Sequence, residues 1–138
     1  DYMSQTTSNP VSISQKAALA AIQNGAEEMK TVVKNLKDRY AAGLKALESV
    51  PGLKAVPAQG AFYFWVDIRG WLGKTAASGV KLVSSKEVAE ALLDTKFVAT
   101  VPGVEFGSEG YLRLSFAIEE KRFQEAADRL KEFAQGLK

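Results

Sequence analysis

The spacing of apolar residues changes near Pro51 and divides the chain into a helical and a mixed part. Residues 1–9 are short polar side chains apart from Tyr2 and Met3 and read as an extended lead-in. Ser8 or Asn9 ahead of Pro10 makes a helix start, because a side-chain oxygen satisfies free N–H groups and proline's fixed φ suits the first helical position. The Ala-rich run Val11–Gln23 is predicted as a helix ended by Asn24–Gly25. A second pattern begins near Ala26 and sets Met29, Val32, Val33, Leu36, Tyr40, Leu44 and Leu47 on one stripe, closed by Pro51–Gly52. About 24 residues at 1.5 Å each give a helix of about 36 Å. That exceeds the radius of gyration expected for a domain of this length, about 14 Å, so one end is expected to reach past the body.

Beyond Pro51 the pattern alternates, and three strands are predicted. Phe62–Ile68 is apolar at Tyr63, Phe64 and Trp65 in succession, as in a strand covered on both faces. Phe97–Val101 is shorter. Tyr111–Phe116 places Leu112, Leu114 and Phe116 on one face and Tyr111, Arg113 and Ser115 on the other. A Gly/Ser/Lys-rich loop, 69–83, and a helix over Ser85–Asp94 separate the first two strands. A closing helix over Glu119–Ala134 turns Phe123, Ala126, Ala127, Leu130 and Phe133 inward. The order implies an α+β fold: a two-layer small domain, 1–138, with a long N-terminal helix and helices on one face of a small mixed sheet. The other face carries large aromatics beside one arginine and calls for a ligand or a covering surface.

Composition narrows the chemistry. The 138 residues contain neither histidine nor cysteine. This excludes a Ser-His-Asp triad, a cysteine nucleophile, zinc sites of the usual ligand types and disulfides. The net charge of +2 comes from 18 basic and 16 acidic residues dispersed along the chain, which argues against a nucleic-acid footprint. No apolar run approaches the roughly 20 residues that span a bilayer, so no membrane partner is expected. The chain begins with Asp1, and the expectation is either processing or a piece of a longer protein.

Arg113, between Leu112 and Leu114, is the most informative single residue, because a strand fixes where its guanidinium starts. Two readings stand side by side. It pairs with a neighbouring carboxylate such as Asp67, or it offers a planar anion two parallel N–H donors, which lysine cannot do. The Gly-rich stretch from Pro102 to Gly110 lacks both phosphate-loop fingerprints and reads as turn punctuation. In Ser84-Ser85-Lys86 a serine caps the following helix, and Lys86 falls in its exposed first turn rather than in a reactive site. The acidic residues form no isolated catalytic pair and sit beside lysines on solvated helix faces.

Four segments together carry a resemblance. They are Thr7-Ser8-Asn9-Pro10-Val11-Ser12-Ile13-Ser14-Gln15-Lys16-Ala17-Ala18, then Gln59-Gly60-Ala61-Phe62-Tyr63, then Val101-Pro102-Gly103 with Phe106-Gly107, and then Leu112-Arg113-Leu114-Ser115-Phe116-Ala117. Their order and spacing resemble the C-terminal part of class I aminotransferases, most nearly the prokaryotic-type aspartate aminotransferase branch, over nearly the whole chain. The resemblance implies the small domain of the aspartate aminotransferase fold, in a homodimeric pyridoxal phosphate enzyme that passes amino groups between amino acids and 2-oxo acids. It implies that Arg113 binds the substrate α-carboxylate, and that Thr7, Ser8 and Asn9 lie near the subunit interface and the neighbouring active site. The Schiff-base lysine and most other cofactor contacts of such enzymes precede the Thr7-Ser8-Asn9-Pro10 segment, so no catalytic residue is expected here.

The implied protein is a C-terminal domain whose large cofactor domain is missing, inactive alone, with a cytoplasmic location. Aspartate and 2-oxoglutarate are the implied substrates, although related lyases and synthases share the arginine. The competing expectation is a free-standing α+β module that binds a carboxylate through Arg113 without catalysis. A third, an aromatic nucleic-acid-binding sheet, conflicts with the near-neutral charge.

Overall fold

The computed structural model describes residues 2, 5 and 8–138. The chain divides into two compact units, Asp1–Asn35 and Leu36–Lys138. Thr7 lies outside the described residues.

The first unit holds helix α1, Ser12–Asn24, and the opening turns of α2, Ala26–Leu47. The expected cap at Ser8 or Asn9 does not form. Val11 takes the N-cap position in extended geometry, with no side-chain cap. Pro10 therefore stays outside the helix, and Gln15 Nε2 reaches back to donate to its carbonyl at 2.7 Å. Gly25 keeps φ at −84°, outside the left-handed region that turns a chain away from a helix end, and α2 resumes at the next residue. Asn24–Gly25 is a joint rather than a stop. The predicted inward stripe of α2 is only half used: Met29, Val32 and Val33 are exposed, as are Ile13, Leu19 and Ile22 of α1.

In the second unit the stripe continues as Leu36, Tyr40, Leu44 and Leu47, and these pack on the core. The sheet comprises β1, Lys54–Val56; β2, Tyr63–Asp67; β3, Val101–Pro102; and β4, Tyr111–Ser115, in the order β1-β2-β4-β3. Every pair is antiparallel, so the sheet is not the mixed one expected. Phe64, Val66, Leu112 and Leu114 form its buried face. Against them pack α3, Ser85–Lys96, through Val88 and Leu92, and α4, Glu120–Gln135, through Phe123, Leu130 and Phe133. The α+β expectation holds.

The ring of Phe64 is at the centre of this core, stacked on Tyr40 at 5.1 Å and set against Phe116 at 5.0 Å and Phe123 at 5.4 Å. Gly43 of α2 lets the helix come down on that ring: a Cβ there would stand 2.7 Å from Phe64 Cε2. The polar loop 69–83 also contributes to the core, through Trp71, Ala76 and Leu82. Trp71 is fully buried, and its indole N–H donates to the Pro51 carbonyl at 2.7 Å.

The Phe97–Val101 strand is displaced. Phe97 sits at φ 55°, closes α3 by donating to the Leu92 and Leu93 carbonyls, and leaves only Val101–Pro102 to pair with β4. A β-branched composition is outweighed here by the need to turn the chain out of a helix. The Ser84 cap forms as expected: its hydroxyl accepts from the Lys86 N–H and donates to the Glu87 carboxylate.

Candidate functional site

The strand register builds the site. Tyr63 stands opposite Ser115, Trp65 opposite Arg113, and Asp67 opposite Tyr111. Because side chains alternate, these six share the sheet face away from the core. All but the exposed Ser115 are half-buried. β3 adds its other flank, where Val101 pairs with Arg113 and leads into the 3₁₀ turn Gly103–Phe106. Gly107 ends that turn at φ 71°, a conformation suited to glycine, and so sets Phe106 beside the face.

The two readings of Arg113 are now distinguishable. Asp67 is held by Arg69, whose Nε lies 3.0 and 3.1 Å from its two oxygens and whose Nη2 lies 2.6 Å from Oδ2. The Arg69 backbone N–H donates to Oδ1 as well, at 2.9 Å. These bonds, led by that of the Arg69 side chain, hold the Asp67 carboxyl below its usual range against the opposing effect of burial. Asp67 is therefore not the counter-ion of Arg113. Among the described residues the Arg113 guanidinium forms no ion pair or hydrogen bond, and its contacts are with rings: Cζ lies 5.4 Å from the Tyr63 centroid and 5.0 Å from that of Phe106. A half-buried guanidinium flanked by aromatics, with its donors unused, suits a planar carboxylate.

Lys86 is exposed and lies 3.9 Å from Glu90 on its own helix. No described lysine is buried; Lys96 and Lys131 are half-buried, and Lys96 is paired with Glu132 at 2.8 Å. None is enclosed in the way that activates an amine nucleophile by desolvation. Ser8 and Asn9 are exposed, outside regular structure and in the first unit. No group of three or more potential metal ligands occurs among the described residues, and no helix there is long and apolar enough to cross a membrane.

Three features around this face depend on contacts that the sequence pattern displays only in part. Phe106 lies in a stretch that reads as punctuation, and an aromatic among glycines is its signal. The Arg69 grip on Asp67 was legible as Asp-x-Arg at a strand end, where the spacing returns the arginine to the same face. Glu109 has no signal of its own in the sequence. Its carboxylate accepts from the Ser85 N–H at 2.5 Å and the Gly110 N–H at 2.7 Å, and so ties the start of α3 to the entry of β4.

Comparison with known proteins shows the family. The family model described as aminotransferase class I and II matches residues 2–130. An aspartate/prephenate aminotransferase of Cereibacter sphaeroides is 37% identical over 134 residues, which is 97% of this chain and 34% of that protein. Its counterpart in Nitrosomonas europaea is 38% identical over 132 residues, 94% of this chain and 33% of that protein. Among solved structures, the aspartate aminotransferase of Rhizobium meliloti superposes with a TM-score of 0.91 at 31% identity, covering 99% of this chain and 34% of the other. The chain thus spans about a third of the length of the curated relatives it matches, corresponding to their C-terminal part. With the matched residues taking in both the strand that bears Arg113 and the turn that bears Phe106, the chain belongs to the class I and II aminotransferase family.

Proposed function

We propose that these residues form the small, C-terminal domain of an aminotransferase that moves an amino group between aspartate and a 2-oxo acid such as 2-oxoglutarate. Arg113 holds the α-carboxylate of the substrate. The observation that carries this reading is the guanidinium itself: fixed in mid-strand, half-buried, and without a carboxylate because Arg69 has taken Asp67. A carboxylate would complete it with two parallel charge-assisted bonds. Amino acids and 2-oxo acids carry that carboxylate next to the reacting carbon, so one arginine serves both halves of the exchange. The prephenate named for several relatives is also a 2-oxo acid, and the same fork fits it.

The contribution of this chain is binding and orientation. Gripping the carboxylate in one plane limits rotation of the adjacent carbon, which presents its C–H bond in a constant direction and converts binding into proximity. Among the described residues no group is placed to move that proton. Pyridoxal phosphate, on which this family implies dependence, supplies the electron sink when bound. The described residues do not fit it, since no lysine is buried or activated.

In this reading a separate large domain brings the lysine and the phosphate contacts, and the 138 residues alone do not transaminate. The exposed Ile13, Leu19, Ile22 and Met29 support cover by further protein. Thr7, Ser8 and Asn9 are assigned to the interface of a homodimer, and the enzyme to the cytoplasm. The non-catalytic module is the less favoured reading, because the family is one of enzymes.

Mixing the chain with a separately produced large domain tests the proposal. Amino transfer from aspartate to 2-oxoglutarate should reappear, and Arg113→Ala should lower kcat/KM roughly a hundredfold or more, as expected for an unpaired buried charge partner. Reconstituted activity indifferent to that substitution would remove Arg113 from the site.

A further inference from the structure

We propose that Tyr63 and Phe106 are positioning residues for Arg113: their rings hold the guanidinium by its π faces and leave its in-plane N–H donors for the carboxylate. The inference deepens the carboxylate-site reading above and rests on it. Both rings lie within the roughly 6 Å at which a cation and an aromatic face attract, at 5.4 and 5.0 Å from Cζ. They originate on opposite flanks of β4, Tyr63 on β2 and Phe106 on the turn after β3.

The rings are themselves held. Phe106 meets Trp65 edge-on at 5.6 Å, and Trp65 stacks on Tyr111 at 5.6 Å and 11°. Tyr111 lies under the Arg69 guanidinium at 5.6 Å, and Asp67 fixes that arginine in turn. On the other side Phe62 meets Tyr63 edge-on at 6.2 Å. A row of side chains therefore runs from one arginine to the other across the sheet. Asp67 neutralises Arg69, whereas among the described residues the Arg113 guanidinium has ring contacts only.

This arrangement has a consequence for binding. A free arginine gives up much rotamer freedom when it grips a carboxylate, and a guanidinium already held between ring contacts gives up less. The rings also displace water from the cation without offering a competing acceptor. Loss of one ring should weaken carboxylate binding roughly three- to tenfold. The two losses should not add, because both rings act on one group.

Acetate is the suitable probe, since it presents the carboxylate and no side chain. Titration of the chain would be followed by NMR at the Arg113 Nε–H, with chloride at equal ionic strength as control. Phe106→Leu and Tyr63→Leu should each raise the dissociation constant by that factor and increase the fast motion of the Arg113 Nε–H. The ring-retaining replacements Phe106→Tyr and Tyr63→Phe should recover most of both. The backbone spectrum shows which variants remain folded. Because the two leucine variants are independent and Phe106 is 50% exposed in a turn, loss of one fold leaves the other to decide.

If acetate does not act at Arg113, or if Arg113→Ala binds it as well as the parent, the carboxylate-site reading fails and takes this inference with it. If Arg113→Ala abolishes binding while the leucine variants match the parent in affinity and Arg113 motion, positioning by the rings is overturned and the carboxylate site stands.

Discussion

Gly43→Ala would put a methyl group where α2 meets the centre of the core, and two opposing effects decide the outcome. In an exposed helix interior the change stabilises by about 1 kcal/mol, because glycine surrenders more backbone freedom and alanine is the best helix former. Here the new Cβ would stand 2.7 Å from Phe64 Cε2, 2.9 Å from Cζ and 3.0 Å from Phe123 Cε1. Real carbon contacts require about 3.5 Å or more. Phe64 is fully buried, and its ring has Tyr40, Phe116 and Phe123 within 5.4 Å of its centroid, so it has nowhere to retreat. Overpacking of this kind costs about 1–3 kcal/mol. With the rings hemmed in, the upper half of that range applies, and the net expectation is a loss of about 1–2 kcal/mol.

Urea unfolding monitored by circular dichroism measures it directly, as a fall in midpoint at unchanged slope. The double variant Gly43→Ala with Phe64→Leu sharpens the test. A smaller side chain should relieve the clash, so the two changes should together cost less than their sum by about 1 kcal/mol. If Gly43→Ala proves as stable as the parent or more so, the account of a rigid aromatic centre is wrong.

Trp71→Phe removes both ring volume and the indole N–H that satisfies the Pro51 carbonyl, and should cost about 2–3 kcal/mol in the same assay; a loss below about 0.5 kcal/mol would show that the tie between the α2 end and the following loop is incidental. Glu109 gives a pH signature. Burial raises its carboxyl pKa, but the N–H donors of Gly110 and Ser85 outweigh that and hold it below the ordinary glutamate value. A depressed folded pKa gives stability that is complete above the unfolded value, about 4.3, and is lost as pH falls through the folded one. Stability followed from pH 6 to pH 3 should therefore decline less steeply in Glu109→Gln than in the parent, and parallel curves would dismiss the carboxylate as a contributor.

Much of the architecture is legible in the sequence because it rests on short-range rules. α3 and α4 follow from capping and from the stripe Phe123, Ala127, Leu130 and Phe133, and the faces of β4 follow from strict alternation. What escapes is set by long-range partners. β1 is three residues, Lys-Ala-Val, with no pattern of its own, and it is a strand because β2 offers it an edge. Phe97 looks like the start of a strand and instead closes a helix. At the candidate site, Arg113 stands out because it shares its sheet face with large aromatics and because a strand fixes where its guanidinium starts. That Asp67 belongs to Arg69, and that Phe106 folds back over Arg113, depends on a turn whose glycines give no direction to a side chain beside them.

The sheet's two borders bear on how such a domain keeps company. One outer strand has three residues and begins with a lysine; the other has two, and the second is Pro102, which has no N–H to donate. Neither offers the long row of free backbone groups on which another chain can template a strand. Self-association by edge pairing, the route to swapped or fibrillar forms, is thereby discouraged even when the domain is produced by itself. On the reading proposed above, recognition falls instead to side chains, on the face that carries Arg113.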